Sequence, residues 1–312
     1  MLGRYADNLY WLARYLERAE NFARRIEAGL HYALTRPDKS EEEWLSVLAS
    51  TGGDSLFRQN YETISMLNVI NFMLRDKTNA NSVISLLEMA RKNGRIVRTT
   101  LTQEVWQSLN QSWMTGQAAL RRPVKLRDLP SILENTVQGS SVFRGALYGT
   151  MLHNDIFNFL RLGTFIERAD NSARIIAYNH YQLLPTASVM VGESDNSQWE
   201  IILRSLGSWR SFNWLNRGQV DPTSVANFLI FDDRMPRSLS YCYKEIQANL
   251  HDLEIDYGRE YDAGILARTI RKKLIDGAAR TNFDTNLHEF ITNFIASNNQ
   301  LSLTIAKDFN LT

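Results

Sequence analysis

Apolar residues recur with helical spacing along the first 35 residues of the chain. At about 100° per residue, one side of this segment collects a continuous apolar stripe, formed by Leu12, Tyr15, Leu16, Ala19, Phe22, Ala23, Ile26 and Leu30. The opposite side carries Arg14, Arg18, Asn21 and Arg25. Pro37 cannot continue a helix. The pattern therefore predicts one long amphipathic helix over residues 4–34.

Helical periodicity continues through the remaining sequence, and no convincing alternating strand pattern interrupts it. Ser40 with Glu43 forms a capping-box pattern that opens a short helix. Thr102, Asp128 and Asp221 are placed to begin later helices. Further helices are predicted over 56–74, 81–100, 102–121, 128–150, 155–184, 198–216, 223–231, 237–256, 261–276 and 285–309, with a loop over 186–196. This pattern predicts an all-α, bundle-like fold.

The chain matches itself in two places. Residues 12–26 align with residues 162–176, and eight of the fifteen positions are identical. A second match aligns Phe72, Asp76 and Ser82 with Phe228, Asp232 and Ser238. Two matches in the same order predict an internal duplication. We expect two halves, 1–150 and 151–312, related by pseudo-two-fold symmetry within one continuous structural unit.

The self-match also separates the polar residues of the first helix into two groups. Arg14 and Arg25 are replaced by Thr164 and Ile175 in the second half, so these positions need no charge. Other polar residues recur, and they form the candidate motif of the protein: Glu17, Arg18, Asn21 and Arg24, repeated as Glu167, Arg168, Asn171 and Arg174. We expect Glu17, Arg24, Glu167 and Arg174 to be buried and hydrogen-bonded to one another, with Arg14 and Arg25 more exposed.

Two interpretations of this motif remain open. In a functional site between the halves, glutamate would act as a general base and arginine would bind a carboxylate or phosphate. In a structural network, buried ion pairs would fix how the two long helices cross. Structural ion pairs are common, and we therefore favour the second interpretation.

The motif also carries a family resemblance. Residues 8–21, NLYWLARYLERAEN, closely resemble the opening of the alpha-E family, which is named for its helices and its Glu-Arg motif. Residues 72–82, 91–106 and 228–238 resemble later blocks of the same family, so the resemblance covers the chain. Gly3 and Gly94 depart from the usual serine and alanine.

The resemblance implies a context rather than a reaction. The family has no assigned activity, and its genes commonly neighbour circularly permuted ATP-grasp ligases and transglutaminase-like cysteine peptidases. It therefore implies an accessory protein that works with such a partner in peptide or amide-bond metabolism. The alternative is an enzyme whose Glu/Arg site acts on a peptide-like or anionic substrate.

A second set of basic residues lies on one helix face. Arg91, Arg95 and Arg98 fall within about 60° of one another at helical spacing. They are a candidate anion-binding stripe, although a solvated basic face is the more common arrangement. The second half carries Gln247, His251 and Glu254 at the aligned positions, so such a site would belong to one half only.

Composition removes several classes of function. The formal net charge of +1 favours neither nucleic acid nor an anionic membrane. Cys242 is the single cysteine, which excludes an internal disulfide and a cysteine-rich zinc site. None of the five histidines follows a glutamate by three residues, so the di-iron bundle signature is absent. We expect no metal and no cofactor.

The expected location and partners follow from what the sequence lacks. No apolar run is long enough to span a bilayer, and the first residues lack the order of a secretory signal. We expect a cytoplasmic protein with no membrane or nucleic-acid partner, and homo-oligomerisation is left open. Trp199, Trp209 and Trp214 suit either an aromatic core or a groove for a partner protein.

Overall fold

The computed structural model describes residues 3–35, 40–183, 194–218, 220–278 and 287–311. These residues contain no strand, which confirms the predicted all-α class. They form fourteen α-helices: α1 (Gly3–Thr35), α2 (Ser40–Ser50), α3 (Asp54–Asn60), α4 (Met66–Leu74), α5 (Val83–Ile96), α6 (Gln103–Leu120), α7 (Leu129–Thr150), α8 (Asp155–Leu183), α9 (Ser194–Ser205), α10 (Trp209–Asn216), α11 (Pro222–Phe231), α12 (Leu239–Tyr257), α13 (Asp262–Ala278) and α14 (Leu287–Asp308).

The helices belong to two compact units, Met1–Thr164 and Phe165–Thr312. The units divide inside α8, whereas the halves expected from the self-match divide just before it. None of the helices in the described parts of the chain has both the length and the apolarity needed to cross a membrane.

In the first unit, α1 packs along α5 and α7, and α6 packs against the same two helices. The apolar stripe of α1 is buried in this arrangement, with Leu9, Leu12 and Ile26 fully inaccessible to solvent. Burying one such side chain contributes roughly 1.5–3 kcal/mol to folding. The amphipathic pattern of α1 therefore places the helix at the centre of the unit.

In the second unit, α13 packs against both α12 and α14, and α11 contacts α12 and α13. The part of α8 in this unit contacts α12 through the rings of Phe165 and Tyr241, whose centroids are 6.0 Å apart. It contacts α14 through a hydrogen bond of 3.3 Å from Asn298 Nδ2 to the Ile166 carbonyl oxygen.

Two of the predicted helices were wrong because each is two helices. The segment predicted over 56–74 breaks into α3 and α4, and Ser65 Oγ begins α4 by accepting a hydrogen bond from Asn68 N at 3.3 Å. The segment predicted over 198–216 breaks into α9 and α10 at Gly207, whose φ of 62° favours glycine. A side-chain cap at Ser65 and a positive φ at Gly207 therefore end the helical path, although the apolar pattern continues across both points.

Other helix ends test the predicted signals directly. Thr102 and Asp221 accept hydrogen bonds from Val105 N and Ser224 N, and both caps are confirmed. The helix predicted over 81–100 instead ends at Ile96 and is followed by a 3₁₀ turn over Arg98–Thr100. The Ser40 side chain, and residues 186–193 of the predicted loop, lie outside the described residues, and α9 already begins at Ser194.

Candidate functional site

Two carboxylates are buried on the long helix of the first unit. The residues Glu17 and Glu20 are 1% and 0% exposed, and their i, i+3 spacing places them on one face of α1. Arg144 of α7 reaches both of them. Its Nη1 lies 3.3 Å from Glu17 Oε2 and 2.5 Å from Glu20 Oε2. A guanidinium from a neighbouring helix therefore bridges two buried carboxylates.

Further groups complete this arrangement. Arg24 donates from Nε to Glu20 Oε1 at 3.0 Å, so two guanidinium groups contact Glu20. Arg144 Nη1 also contacts Ser140 Oγ at 2.7 Å, one turn earlier on α7. We call Glu17, Glu20, Arg24 and Arg144 the carboxylate cluster. Each of its acids lies within ion-pair distance of a base, as a buried carboxylate requires.

The motif arginine of α1 has a different contact. Arg18 donates from Nη1 to Asn81 Oδ1 at 2.9 Å. Asn81 lies in the turn over residues 76–82, which connects α4 to α5. Asn21, the next motif residue, is only 1% exposed. The motif therefore faces two neighbours, since its glutamate meets α7 and its arginine meets the turn before α5.

In the second unit, Glu167 and Arg168 are 4% and 6% exposed. Arg168 donates from Nη1 to the Pro236 carbonyl oxygen at 3.4 Å, and its guanidinium lies 5.1 Å from the Phe165 ring centroid. Ser172 donates to the Arg237 carbonyl oxygen at 2.8 Å. Asn171 is buried beside them. The motif arginine again contacts the turn that connects the short apolar helix to the next long one.

The two turns share their backbone geometry. In the first, Asn79 N donates to the Asp76 carbonyl oxygen and Ser82 N donates to that of Asn79, at 3.2 and 2.9 Å. In the second, Met235 N donates to Asp232 and Ser238 N donates to Met235 at the same two distances. We call these segments, residues 76–82 and 232–238, the aspartate turns.

Both aspartates that begin these turns are held in the ionised form. Burial raises the pKa of Asp76, but hydrogen bonds from Thr78 and Tyr61 outweigh it and leave the pKa below its ordinary value. The hydrogen bond from Arg234 lowers the pKa of Asp232. Each carboxylate also accepts the amide N–H two residues ahead, so its charge stabilises the turn itself.

Exposure of the motif residues agrees only partly with the prediction. Glu17 and Glu167 are buried as expected. The arginines Arg24 and Arg174 keep side-chain exposures of 22% and 45%, and they pair with the acid one turn earlier on their own helices. Arg25 was predicted to be exposed, which is wrong. It is 5% exposed and donates to Ser50 Oγ at 2.7 Å, so a contact from α2 draws it inward.

The candidate anion stripe divides between two environments. Arg91 lies over the Trp113 ring at 3.9 Å and donates to Asn110 Oδ1 at 2.8 Å. Arg98 lies 5.2 Å from the Trp106 ring centroid, and Arg95 is exposed. Arg91 of α5 and Arg98 of the following 3₁₀ turn therefore each stack on a tryptophan of α6.

The remaining sequence candidates also separate by environment. Trp199 is 2% exposed and belongs to the core, whereas Trp214 is 84% exposed and borders a groove of about 400 Å³. Trp209 packs under Arg204 at 5.2 Å.

Cys242 is fully buried, so its thiol is shielded from solvent. Across the described part of the chain, no group of three or more His, Cys, Asp or Glu residues could hold a metal ion.

Sequence reasoning missed Arg144, the residue that joins the two carboxylates. It lies 127 residues from Glu17 and 124 from Glu20, and α7 carries no motif that marks it. Ser140 was missed for the same reason. The spacing of Ser140 and Arg144 is an ordinary helical i, i+4 spacing, so only the packing of α7 against α1 gives these residues a role.

The fold and the site together define a class: all-helical proteins with a buried Glu-Arg motif on a long helix. The chain belongs to the Alpha-E family, because the model of this predicted alpha-helical domain with a conserved ER motif matches residues 1–309.

Curated relatives carry no assigned function. Uncharacterized proteins of Mycobacterium bovis and of Mycobacterium tuberculosis strain CDC 1551 are each 24% identical to the chain over 268 residues. The match covers 80% of this chain and 30% of each relative, so the chain corresponds to under a third of their length. No solved structure matches the chain significantly.

Proposed function

We propose that this protein is a non-catalytic accessory protein that works beside an ATP-grasp amide ligase or a transglutaminase-like peptidase. One observation carries the non-catalytic part of the proposal, namely that Arg144 bridges Glu17 and Glu20 at the buried face of α1. A general base needs a carboxylate that can reach a substrate proton. A carboxylate enclosed between helices and held by a guanidinium instead fixes helix packing.

The mycobacterial relatives support the proposal of an accessory role. In the mycobacterial proteins, the region similar to this chain occupies 30% of a longer polypeptide. A helical unit of this kind therefore occurs joined to additional sequence. The identity of the partner comes from the family resemblance, which associates these proteins with enzymes that form or cleave amide bonds.

We also propose that the chain arose by duplication, with α1–α7 and α8–α14 as the two repeats. The aspartate turns support this proposal, and an additional match precedes them. Trp44 and Trp199 are both buried, and Phe57 and Phe212 each meet a phenylalanine of the following helix edge to face, at 5.3 and 5.5 Å. The pseudo-two-fold relation between the repeats stays a prediction.

The surface that would meet a partner is the groove beside Trp214. Its apolar wall includes Leu215, Phe228, Met235 and Pro236, and its polar rim includes Arg210 and Arg234. An exposed tryptophan within an apolar groove and an arginine rim is the composition of an interface hot spot. We assign this groove to the partner enzyme.

The first experiment is affinity capture of tagged protein from native cells, followed by mass spectrometry. The wild type should recover an ATP-grasp or transglutaminase-like protein, and Trp214→Ala should reduce that recovery at least about tenfold, as expected for a hot spot. Ile255→Ala, at another exposed apolar residue of the second unit, is the matched control. Equal recovery by all three proteins would contradict the assignment of the groove.

The second experiment separates the accessory protein from the enzyme. Glu17→Gln and Glu167→Gln preserve shape and hydrogen bonding but remove a charge. Under our proposal, variants that remain folded retain the activity that co-purifies with the partner. A loss of about a hundredfold in folded variants with the partner still bound would establish the enzyme alternative, because no structural role explains it.

A further inference from the structure

A cleft in the first unit is separate from the carboxylate cluster. It lies between the end of α4, the first half of α5 and the second half of α6, and its volume is about 580 Å³. That volume falls within the roughly 300–1,000 Å³ range of small-molecule sites. The cleft shares no residue with the Trp214 groove.

Three basic side chains line this cleft. Arg75 follows α4, Lys77 lies in the aspartate turn, and Arg121 follows α6. Glu88 is the single acidic lining residue, and its carboxylate lies 3.5 Å from Lys77 Nζ. Asp76 adjoins Arg75, although its carboxylate is already engaged by Thr78 and Tyr61. The lining therefore carries a net positive charge.

The basic residues are not equally engaged by the protein. Arg75 donates from Nε to the Leu120 carbonyl oxygen at 3.4 Å, which satisfies the end of α6. The side chain of Arg121 makes no hydrogen bond or ion pair with any residue that the structure describes. A cation that lines a cleft without such a contact leaves all its guanidinium N–H groups available to a bound anion.

Other residues of the lining are apolar or aromatic. These residues are Ile84, Trp113 and Met114. Arg91 lies over the Trp113 ring at 3.9 Å while it is hydrogen-bonded to Asn110, so the indole is held in place and a fourth cation contacts a residue of the lining. A site that joins basic groups to an aromatic wall suits a ligand with a charged end and a flat apolar end.

From this geometry we propose that the cleft binds a small anion that carries an aromatic ring. The anionic group lies among Arg75, Lys77 and Arg121, and the ring lies against Trp113 and Met114. The site is independent of the proposed accessory function, because none of its residues belongs to the carboxylate cluster or to the Trp214 groove.

The test is calorimetric titration with phenyl phosphate and with benzoate, which distinguish a phosphate from a carboxylate ligand. Phenol and inorganic phosphate each supply one half of the proposed ligand. At least one aromatic anion should bind saturably and at least about tenfold more tightly than either half-probe, since both walls contribute. The proposal is overturned if neither phenyl phosphate nor benzoate binds saturably. It is also overturned if inorganic phosphate binds as tightly as the aromatic anions.

Neighbouring arginines supply matched variants. Arg121→Gln should weaken binding of the aromatic anion at least about fivefold, because a charged hydrogen bond to the ligand is lost. Arg122→Gln makes the same change one residue along, at an exposed position outside the cleft, and should stay within about twofold of the wild type. Equal weakening by both variants, or by neither, contradicts binding at this cleft. Circular dichroism checks that both variants are folded.

Discussion

The two motif helices share eight of fifteen aligned positions but have different neighbours. In the first unit, α7 presents Arg144 to the carboxylates of Glu17 and Glu20. In the second unit, α14 presents Asn298, which donates to the Ile166 carbonyl oxygen and accepts a hydrogen bond from Tyr243 at 2.9 Å. The motif helix of the first unit therefore meets a guanidinium of α7, and that of the second unit meets an amide of α14 that links α8 to α12.

The arginine of the motif behaves alike in both units. Arg18 and Arg168 each contact the aspartate turn of their own unit, through Asn81 Oδ1 and the Pro236 carbonyl oxygen. The last helix of each unit meets the motif helix differently, because α7 contacts the Glu17 carboxylate and α14 contacts the Ile166 carbonyl oxygen. The comparison teaches that the arginine has the shared role of fixing a turn, while the contact between the motif helix and the last helix differs between the units.

The strongest test of the comparison is Arg144→Met, which removes the bridge between α7 and the two carboxylates of α1. The substitution keeps much of the side-chain volume but removes the cation that contacts two buried carboxylates, so the free energy of unfolding should fall by about 3–5 kcal/mol. Urea denaturation followed by circular dichroism measures this loss. A change below about 1 kcal/mol would show that the bridge contributes little to the first unit.

A second test uses a residue of the self-match that lies against the backbone of α1. Gly163 corresponds to Ala13, and a Cβ at Gly163 would overlap the Tyr10 carbonyl oxygen. Gly163→Ala should lower the free energy of unfolding by about 3 kcal/mol, because backbone cannot move aside as a flexible side chain does.

Gly145→Ala is the control for that substitution. Gly145 lies inside α7, and a Cβ there meets nothing within 4 Å. It should raise the free energy of unfolding by about 0.5–1 kcal/mol through helix propensity alone. Thermal melting of both variants makes the comparison, and stabilisation by Gly163→Ala would contradict the close approach.

The amide contact of the second unit is tested by Asn298→Ala. Tyr243 is fully buried, so its hydroxyl group and the Ile166 carbonyl oxygen would both lose the amide that satisfies them. The expected loss is about 2 kcal/mol, smaller than that for Arg144→Met because no charge is left behind. Asn298→Asp would sharpen the contrast, since an acid cannot donate to Ile166 once ionised. If Asn298→Ala costs more than Arg144→Met, the comparison between units is reversed.

The smallest effect concerns pH. Burial raises the pKa of Glu43 from 4.5 to about 7. The contribution of this carboxyl to stability is therefore fully present below pH 4.5 and is lost as the pH rises through 7, because the charged form remains buried. The second unit carries Gln198 at the corresponding position, before Trp199. Glu43→Gln therefore gives the first unit the uncharged residue that the second unit carries before its tryptophan.

This variant and the wild type should differ little at pH 4.5. At pH 8 the variant should be more stable by about 1–2 kcal/mol, since glutamine has no charge to desolvate. Chemical denaturation at the two pH values measures the difference. A difference that does not change with pH would mean that Glu43 titrates normally in the folded protein.

Much of the fold was predictable because it rests on local patterns. The apolar period gave α1, α7 and α8 nearly to the residue, and side-chain caps gave the starts of α6 and α11. The breaks before α4 and α10 were not predictable from period alone, because the same apolar face continues across them. The Ser65 cap begins α4, and Gly207, with its positive φ, separates α9 from α10.

The candidate site was predictable only in part. The self-match identified Glu17, Glu167 and their neighbouring arginines, and the buried positions of both glutamates agree with it. The prediction for Arg25 was wrong. The absence of an arginine at the matching position of the second half had indicated a more exposed side chain. Substitution by Ile175 instead reflects a buried environment, since Ile175 is itself 2% exposed. A change of charge between related helices therefore does not identify a solvent-facing residue.

The sequence by itself determined the helices, the motif and the family, because these depend on residue types at short and regular spacing. Only the tertiary structure decided which partners the motif meets. Arg144 reaches Glu17 across 127 residues of chain, and the cleft beside Trp113 collects side chains from α5, α6 and the segments that follow α4 and α6. The physical reason is that the packing of whole helix faces brings distant residues together. No local pattern records which faces will meet.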